Sequence, residues 1–169
     1  MNYFKKTILS IPKLKNFKNK GYFNKIDRRN LLIYYFFKII FGHNKESKYP
    51  IHFTSTLVAS EKIKIGKNVN KSFLNSGGCY FQGINGIHID DETIIGPGVK
   101  IISANHSSEN IKTHVKKSAI MIGKKCWLGA NSIILPGVQL GDNTIVAAGA
   151  VVSTSYKEGN IIIKGVPAK

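Results

Sequence analysis

Cysteine is scarce here, with two in 169 residues; tryptophan occurs once and methionine twice. Nothing in the spacing of Cys79 and Cys126 pairs them, so a disulfide scaffold is excluded and a reducing cytoplasm is expected. Acidic residues are also few, nine against 25 Lys and Arg, for a formal charge of +16. The excess is uneven. Residues 1–50 carry twelve Lys/Arg against Asp27 and Glu46, and residues 51–169 carry thirteen against seven. No helix-turn-helix, zinc-finger or RNA-binding signature accompanies the charge, so no nucleic-acid partner is expected. Long apolar runs are missing too. The run at 31–41 (LLIYYFFKIIF) has eleven residues and includes Lys38, too short to span a bilayer. The first twelve residues lack the apolar core and small-residue cleavage site of a secretory leader.

What is present is a period of six. Ile122, Leu128, Ile134, Leu140, Val146 and Val152 fall six apart, and Gly123, Gly129, Gly141, Ala147 and Ser153 follow five of them. Neither a helix nor an alternating strand has that period. It predicts short strands stacked into a parallel β-helix, each hexapeptide supplying inward aliphatic side chains. The frame extends upstream through Ile101, Ile95 and Ile89. Positions two before each frame residue (Cys126, Val138, Val99, Ile87, Phe81, Ile63) supply a second inward side chain. Three sides make an 18-residue triangular coil, and about five coils are expected. Lys71, Gly77 and Gly83 break the aliphatic rule, so residues 75–86 (NSGGCYFQGING) are expected to form an irregular coil.

Ile122 lies 21 positions after Ile101, three more than one coil needs. Residues 105–118 (NHSSENIKTHVKKS) are polar and are expected to leave the solenoid as a loop, the usual place for function in a repeat protein. Of the five histidines (His43, His52, His88, His106 and His114), His106 stands where the coil gives way to this loop. Trp127 points away from the core axis in the repeat frame, as a residue covering a ligand or a subunit interface would. The expected organisation is a basic, aromatic helical segment over 1–50, a β-helix domain over 51–157 and a tail over 158–169. The helical segment either caps the open end of the β-helix or lies on an anionic membrane surface.

The segments IGPGVKIISANH (95–106), IGKKCWLGANSIILPGVQLGDNTIVAAGAVV (122–152) and GVPAK (165–169) resemble the hexapeptide-repeat acyltransferases. Similarity is nearest to the galactoside/maltose O-acetyltransferases and their capsule and exopolysaccharide relatives. The resemblance covers about 120 residues and implies an all-β, left-handed parallel β-helix; the general crossover rule alone favours the right hand. It implies transfer of an acetyl group from acetyl-CoA to a saccharide hydroxyl, with His106 as the general base. Trp127, Ala130, Ala148, Ser153, Thr154 and Lys169 match positions along the bound coenzyme. The family often has a basic residue where Thr154 stands, and it usually continues beyond the position of Lys169. On the acceptor side, the family's Asp position falls on Ile84, so Asn85 or residues 77–82 would substitute. His88, 18 residues before His106, is expected one coil below it. Site grooves between the chains of a homotrimer, a cytoplasmic location (or the inner membrane face) and no metal complete the expectation. The alternatives are an N-acetyltransferase acting on an amino or nucleotide sugar, a γ-carbonic-anhydrase-like zinc enzyme, or a non-catalytic scaffold.

Overall fold

The structure is a computed structural model that describes residues 25–169; the first 24 residues of the basic segment lie outside the described residues. Helix α1 (Lys25–Ile40) comes first. Thirteen strands of two or three residues follow, all parallel, in three sheets. The first sheet stacks β1 (Thr56–Val58), β3 (Tyr80–Gln82), β6 (Lys100–Ile102), β9 (Ile133–Ile134) and β12 (Val151–Val152). The second stacks β2 (Ile63–Ile65), β4 (Ile87–Ile89), β7 (Ile120–Ile122) and β10 (Gln139–Leu140). The third stacks β5 (Ile94–Ile95), β8 (Trp127–Leu128), β11 (Ile145–Val146) and β13 (Ile162–Ile163). The chain visits the three sheets in rotation, so the five strands of the first sheet mark five coils. The solenoid is a left-handed parallel β-helix.

Burial follows the two inward positions per hexapeptide. Cys126 and Leu128, Val138 and Leu140, and Ala150 and Val152 are all buried, as are Ser132 and Thr144 at equivalent places. Strands this short work because each inward aliphatic side chain sits on its counterpart one coil away: Ile101 pairs with Ile134, and Ile89 with Ile122. Burying those side chains supplies most of the stability, since isolated two-residue strands have none. Both thiols are buried and pushed upward by desolvation, which keeps them inert.

Two expectations need correction. Ile101 and Ile122 lie on adjacent sheets, so the step of 21 positions from one to the other is one six-residue side plus fifteen inserted residues, not a coil plus three. The irregular piece of the early coils is also displaced. It is a short helix, α2 (Val69–Asn75), standing where the first coil would place its third side, whereas Tyr80–Gln82 is a regular strand. Val69, Phe73 and Leu74 bury one face of α2, and the Phe73 ring stacks on Phe81 at 4.6 Å. A helical i, i+4 spacing therefore replaces the hexapeptide rule at Lys71.

Before the first coil, α1 and residues 42–50 lie against the open end. Asn30 donates from Nδ2 to the Leu74 carbonyl and to Asn75 Oδ1. Phe37 stacks on Phe53 at 4.9 Å. Edge groups of the first coil find partners here: the Leu57 N–H donates to Asn44 Oδ1, Tyr49 donates to the Ile63 carbonyl, and Asn44 Nδ2 donates to the Ser55 carbonyl. An unpaired strand edge would otherwise template association.

Candidate active site

The prism has three edges, and two of them carry the candidate residues. The edge after the first sheet holds His106. The chain leaves the third coil at Asn105 and returns at Val115, whose N–H donates to the Asn105 carbonyl at 2.8 Å. His106 and His114 form the next rung, bridged antiparallel with ring centroids 4.5 Å apart, and the Ser107 N–H donates to the Thr113 carbonyl. The expected loop is thus a narrow hairpin with two exposed imidazoles side by side at its base.

Asn85 occupies the same edge one coil below. Its Nδ2 donates to the Ser103 carbonyl and to the Val115 carbonyl, both at 2.9 Å, and its backbone N–H donates to Ser103 Oγ. The amide therefore clips the hairpin to the solenoid, which spends both of its N–H donors. Ser153 and Thr154 are exposed on this edge two coils above.

The edge after the third sheet holds a second set. Here the stacked turns are residues 96–98, 129–131, 147–149 and 164–165. Neighbouring backbones join through Asn131 N–H to Pro97 O, Gly149 N–H to Ala130 O, and Val151 N–H to Gly165 O. The amides of Ala130 and Ala148 donate to no described protein group. Pro97 makes the same point chemically: it stands in the equivalent place one coil below, where no N–H is required. Ala148 is exposed and Ala130 half-buried, so two spare donors line the edge. Asn131 supports the turn with φ +58°, in the left-handed region that asparagine tolerates.

Trp127 lies beside this edge on the outer face of the third sheet and is 52% exposed. It stands in a register ladder of Ile94, Trp127, Ile145 and Ile162, an apolar outer face in which Ile94 and Ile162 are also exposed. The tail folds back over the last coil: Lys164 and Lys169 exchange backbone hydrogen bonds, Ala168 donates to Val151, and Tyr156 donates to the Ala168 carbonyl. Lys169 ends there, exposed.

His88 does not sit below His106. It belongs to β4 on the second sheet, between Lys64 and Met121 in register. Counting eighteen fails because the inserted residues make Met121, 33 positions on, the residue above it. His88 instead helps line a shallow surface groove with Lys64, Asp90 and Met121. Among the described residues, no three His, Cys, Asp or Glu side chains cluster as a metal site would require.

Within one chain, then, His106, Asn85, Ser153 and Thr154 share one edge, while Trp127, Ala130, Ala148 and the tail share another. The first sheet separates them. The spare N–H donors were invisible to sequence reasoning as a row, although Pro97, Ala130 and Ala148 follow third-sheet strands at matching positions.

Residues 119–154 match the family described as bacterial transferase hexapeptide (six repeats). WbbJ of Escherichia coli strain K12, named as a lipopolysaccharide biosynthesis O-acetyl transferase, is 36% identical over 102 residues, covering 53% of this chain and 52% of that protein. The galactoside O-acetyltransferase of the same organism is 27% identical over 158 residues, covering 89% of this chain and 71% of that protein. A solved galactoside acetyltransferase in complex with coenzyme A superposes with a TM-score of 0.59 at 27% identity, covering 68% of this chain and 56% of that one. The chain spans about half the length of WbbJ and of that solved structure. Over residues 119–154 the chain is therefore similar to the hexapeptide-repeat transferases. Its relatives in sequence and structure are named as acetyltransferases.

Proposed function

We propose that this protein moves an acetyl group from acetyl-CoA to a hydroxyl of a saccharide, a capsular, exopolysaccharide or lipopolysaccharide unit, at sites shared between copies in a homotrimer. The observation that carries the reading is the pair of edges. One bears an exposed imidazole at the mouth of a hairpin; the other bears an exposed indole beside two amides with no partner among the described residues. Neither edge alone is a pocket, and small-molecule sites need concavity. Setting the His106 edge of one copy against the Trp127 edge of the next makes a groove lined by both.

The donor set suits the long, polar arm of coenzyme A. Trp127 offers an apolar face, Ala130 and Ala148 offer N–H groups, and Lys169 offers a positive charge for phosphate. Ser153 and Thr154 would reach the same arm only from the facing copy. When bound, the thioester supplies an activated acetyl carbon.

His106 accepts the proton of the sugar hydroxyl as its oxygen bonds to that carbon, since an alcohol is a poor nucleophile until deprotonated. The Ala130 N–H donates to the carbonyl oxygen as negative charge builds there. As the carbon–sulfur bond breaks, the imidazolium returns its proton to the departing sulfur. Asn85 holds the hairpin, and so the imidazole, in place.

A screen of acetyl-CoA consumption over monosaccharides, nucleotide sugars, amino sugars and purified polysaccharides tests the proposal, run with His106→Ala alongside. The expected result is turnover with a saccharide, reduced about 10²- to 10⁴-fold in the variant. Turnover that survives within about tenfold would remove His106 from the role of base.

A further inference from the structure

Helix α1 is apolar on both sides. Its inner side, through Asn30, Leu31 and Tyr34, is buried against the first coil and α2. Its outer side presents Leu32, Phe36, Ile39 and Ile40, spaced as one helical stripe and continued by Phe41; each is exposed, Ile39 by 65% and Phe41 by 67%. A helix apolar all round is normally enclosed on every side. Among the described residues, this one has protein on one side only.

The charge beside the stripe is mostly positive, with Glu46 the exposed exception. Arg28 and Arg29 are exposed at its start, and Lys45 and Lys48 are exposed just beyond its end. In sequence, residues 1–50 hold twelve Lys/Arg against two acids. The helix has 16 residues, about 24 Å at 1.5 Å per residue, which falls short of a hydrocarbon core of about 30 Å. Among the described residues no helix is long and apolar enough to cross a membrane. An apolar stripe flanked by cations suits a helix lying in the plane of the interface, its aliphatic and aromatic side chains among acyl chains and its Arg and Lys at headgroup level.

We infer that the outer stripe of α1, Leu32, Phe36, Ile39, Ile40 and Phe41, docks on an anionic lipid bilayer while the inner side covers the end of the β-helix. Capping and membrane contact are thus two sides of one helix. A polar or acidic protein groove would match the arginines but leave five exposed apolar side chains without a counterpart. The contact stands independently of the acetyl-transfer reading.

The test is co-sedimentation of the full chain with vesicles of phosphatidylglycerol and phosphatidylethanolamine, against vesicles of phosphatidylcholine alone. The chain is expected to pellet with the anionic vesicles, to lose binding as salt rises, and to pellet weakly with the zwitterionic ones. The Leu32→Gln/Phe36→Gln/Ile40→Gln variant alters exposed positions only and should keep its thermal midpoint, yet bind at least about tenfold less. Arg28→Gln/Arg29→Gln should weaken binding and flatten its salt dependence. Wild-type chain that stays in the supernatant overturns the inference. So does a triple variant that pellets like wild type. Light scattering that shows the triple variant losing oligomeric mass, with vesicle binding intact, assigns the stripe to a second copy instead.

Discussion

Ala130 can be questioned more sharply than any other candidate residue, because the fold already contains its control. Pro97 occupies the equivalent turn position one coil below, after Gly96, as Ala130 follows Gly129. Ala130→Pro should therefore fold while losing the N–H of that position and keeping the one at Ala148. Turnover with acetyl-CoA is expected to drop about a hundredfold, the usual cost of one lost donor to a developing oxyanion; unchanged turnover in a folded variant would show that this amide faces nothing. His52 permits a second residue-scale prediction, about stability. Desolvation holds its pKa below the ordinary value, and its Nδ1 accepts from the Thr54 N–H while that threonine's Oγ accepts from the Gly78 N–H. The folded chain then binds fewer protons than the unfolded chain below about pH 6.5, so stability is complete above that pH and falls as pH drops. Thermal midpoints from pH 7.5 down to 5 should show that decline, and His52→Gln should make it shallower. A variant with the wild-type slope would contradict this.

At the scale of elements, some glycine turns bring neighbouring coils together backbone on backbone. A Cβ on Gly129 would lie 2.5 Å from the Ala148 nitrogen and 2.7 Å from the Val146 carbonyl oxygen, main-chain atoms that cannot swing aside. Gly129→Ala is expected to cost about 3 kcal/mol, the upper end of overpacking, in chemical denaturation. Gly149→Ala, with φ +72° and open space around it, should cost only about 1 kcal/mol from its backbone conformation. Equal costs would mean the coils are less tightly stacked than described. The strands from β6 onward were legible in the sequence because every side repeats the same demand: two inward side chains and a turn. Helix α2 was not legible, since seven residues of helical spacing between hexapeptide units leave no period to detect. The loop's length was misjudged for a related reason. A frame of six cannot distinguish an insertion of three from one of fifteen when the sheet to which each side belongs is unknown. His88 was misplaced by that same ambiguity, whereas His106 and Trp127 were placed by local sequence and keep their expected positions at the loop and on the outer face.

On the scale of the whole molecule, the separation of the candidate residues onto two edges decides how the protein must work if they serve one reaction. An apolar ladder of Ile94, Trp127, Ile145 and Ile162 runs up the outer face beside the Ala130 edge, a surface suited to a neighbouring copy. In a closed threefold ring each groove would draw His106 from one chain and the amide edge from the next. That is the central claim, and mixed assembly addresses it directly. His106→Ala and Ala130→Pro chains, each expected at about a hundredth of wild-type activity or less alone, are unfolded together, refolded as mixtures and assayed for acetyl transfer. Sites shared between chains predict recovery to about a quarter of wild-type activity in an equal mixture, from grooves that receive both intact edges. Mixed assemblies that remain as inactive as either parent would place both edges' work within a single chain and contradict the account.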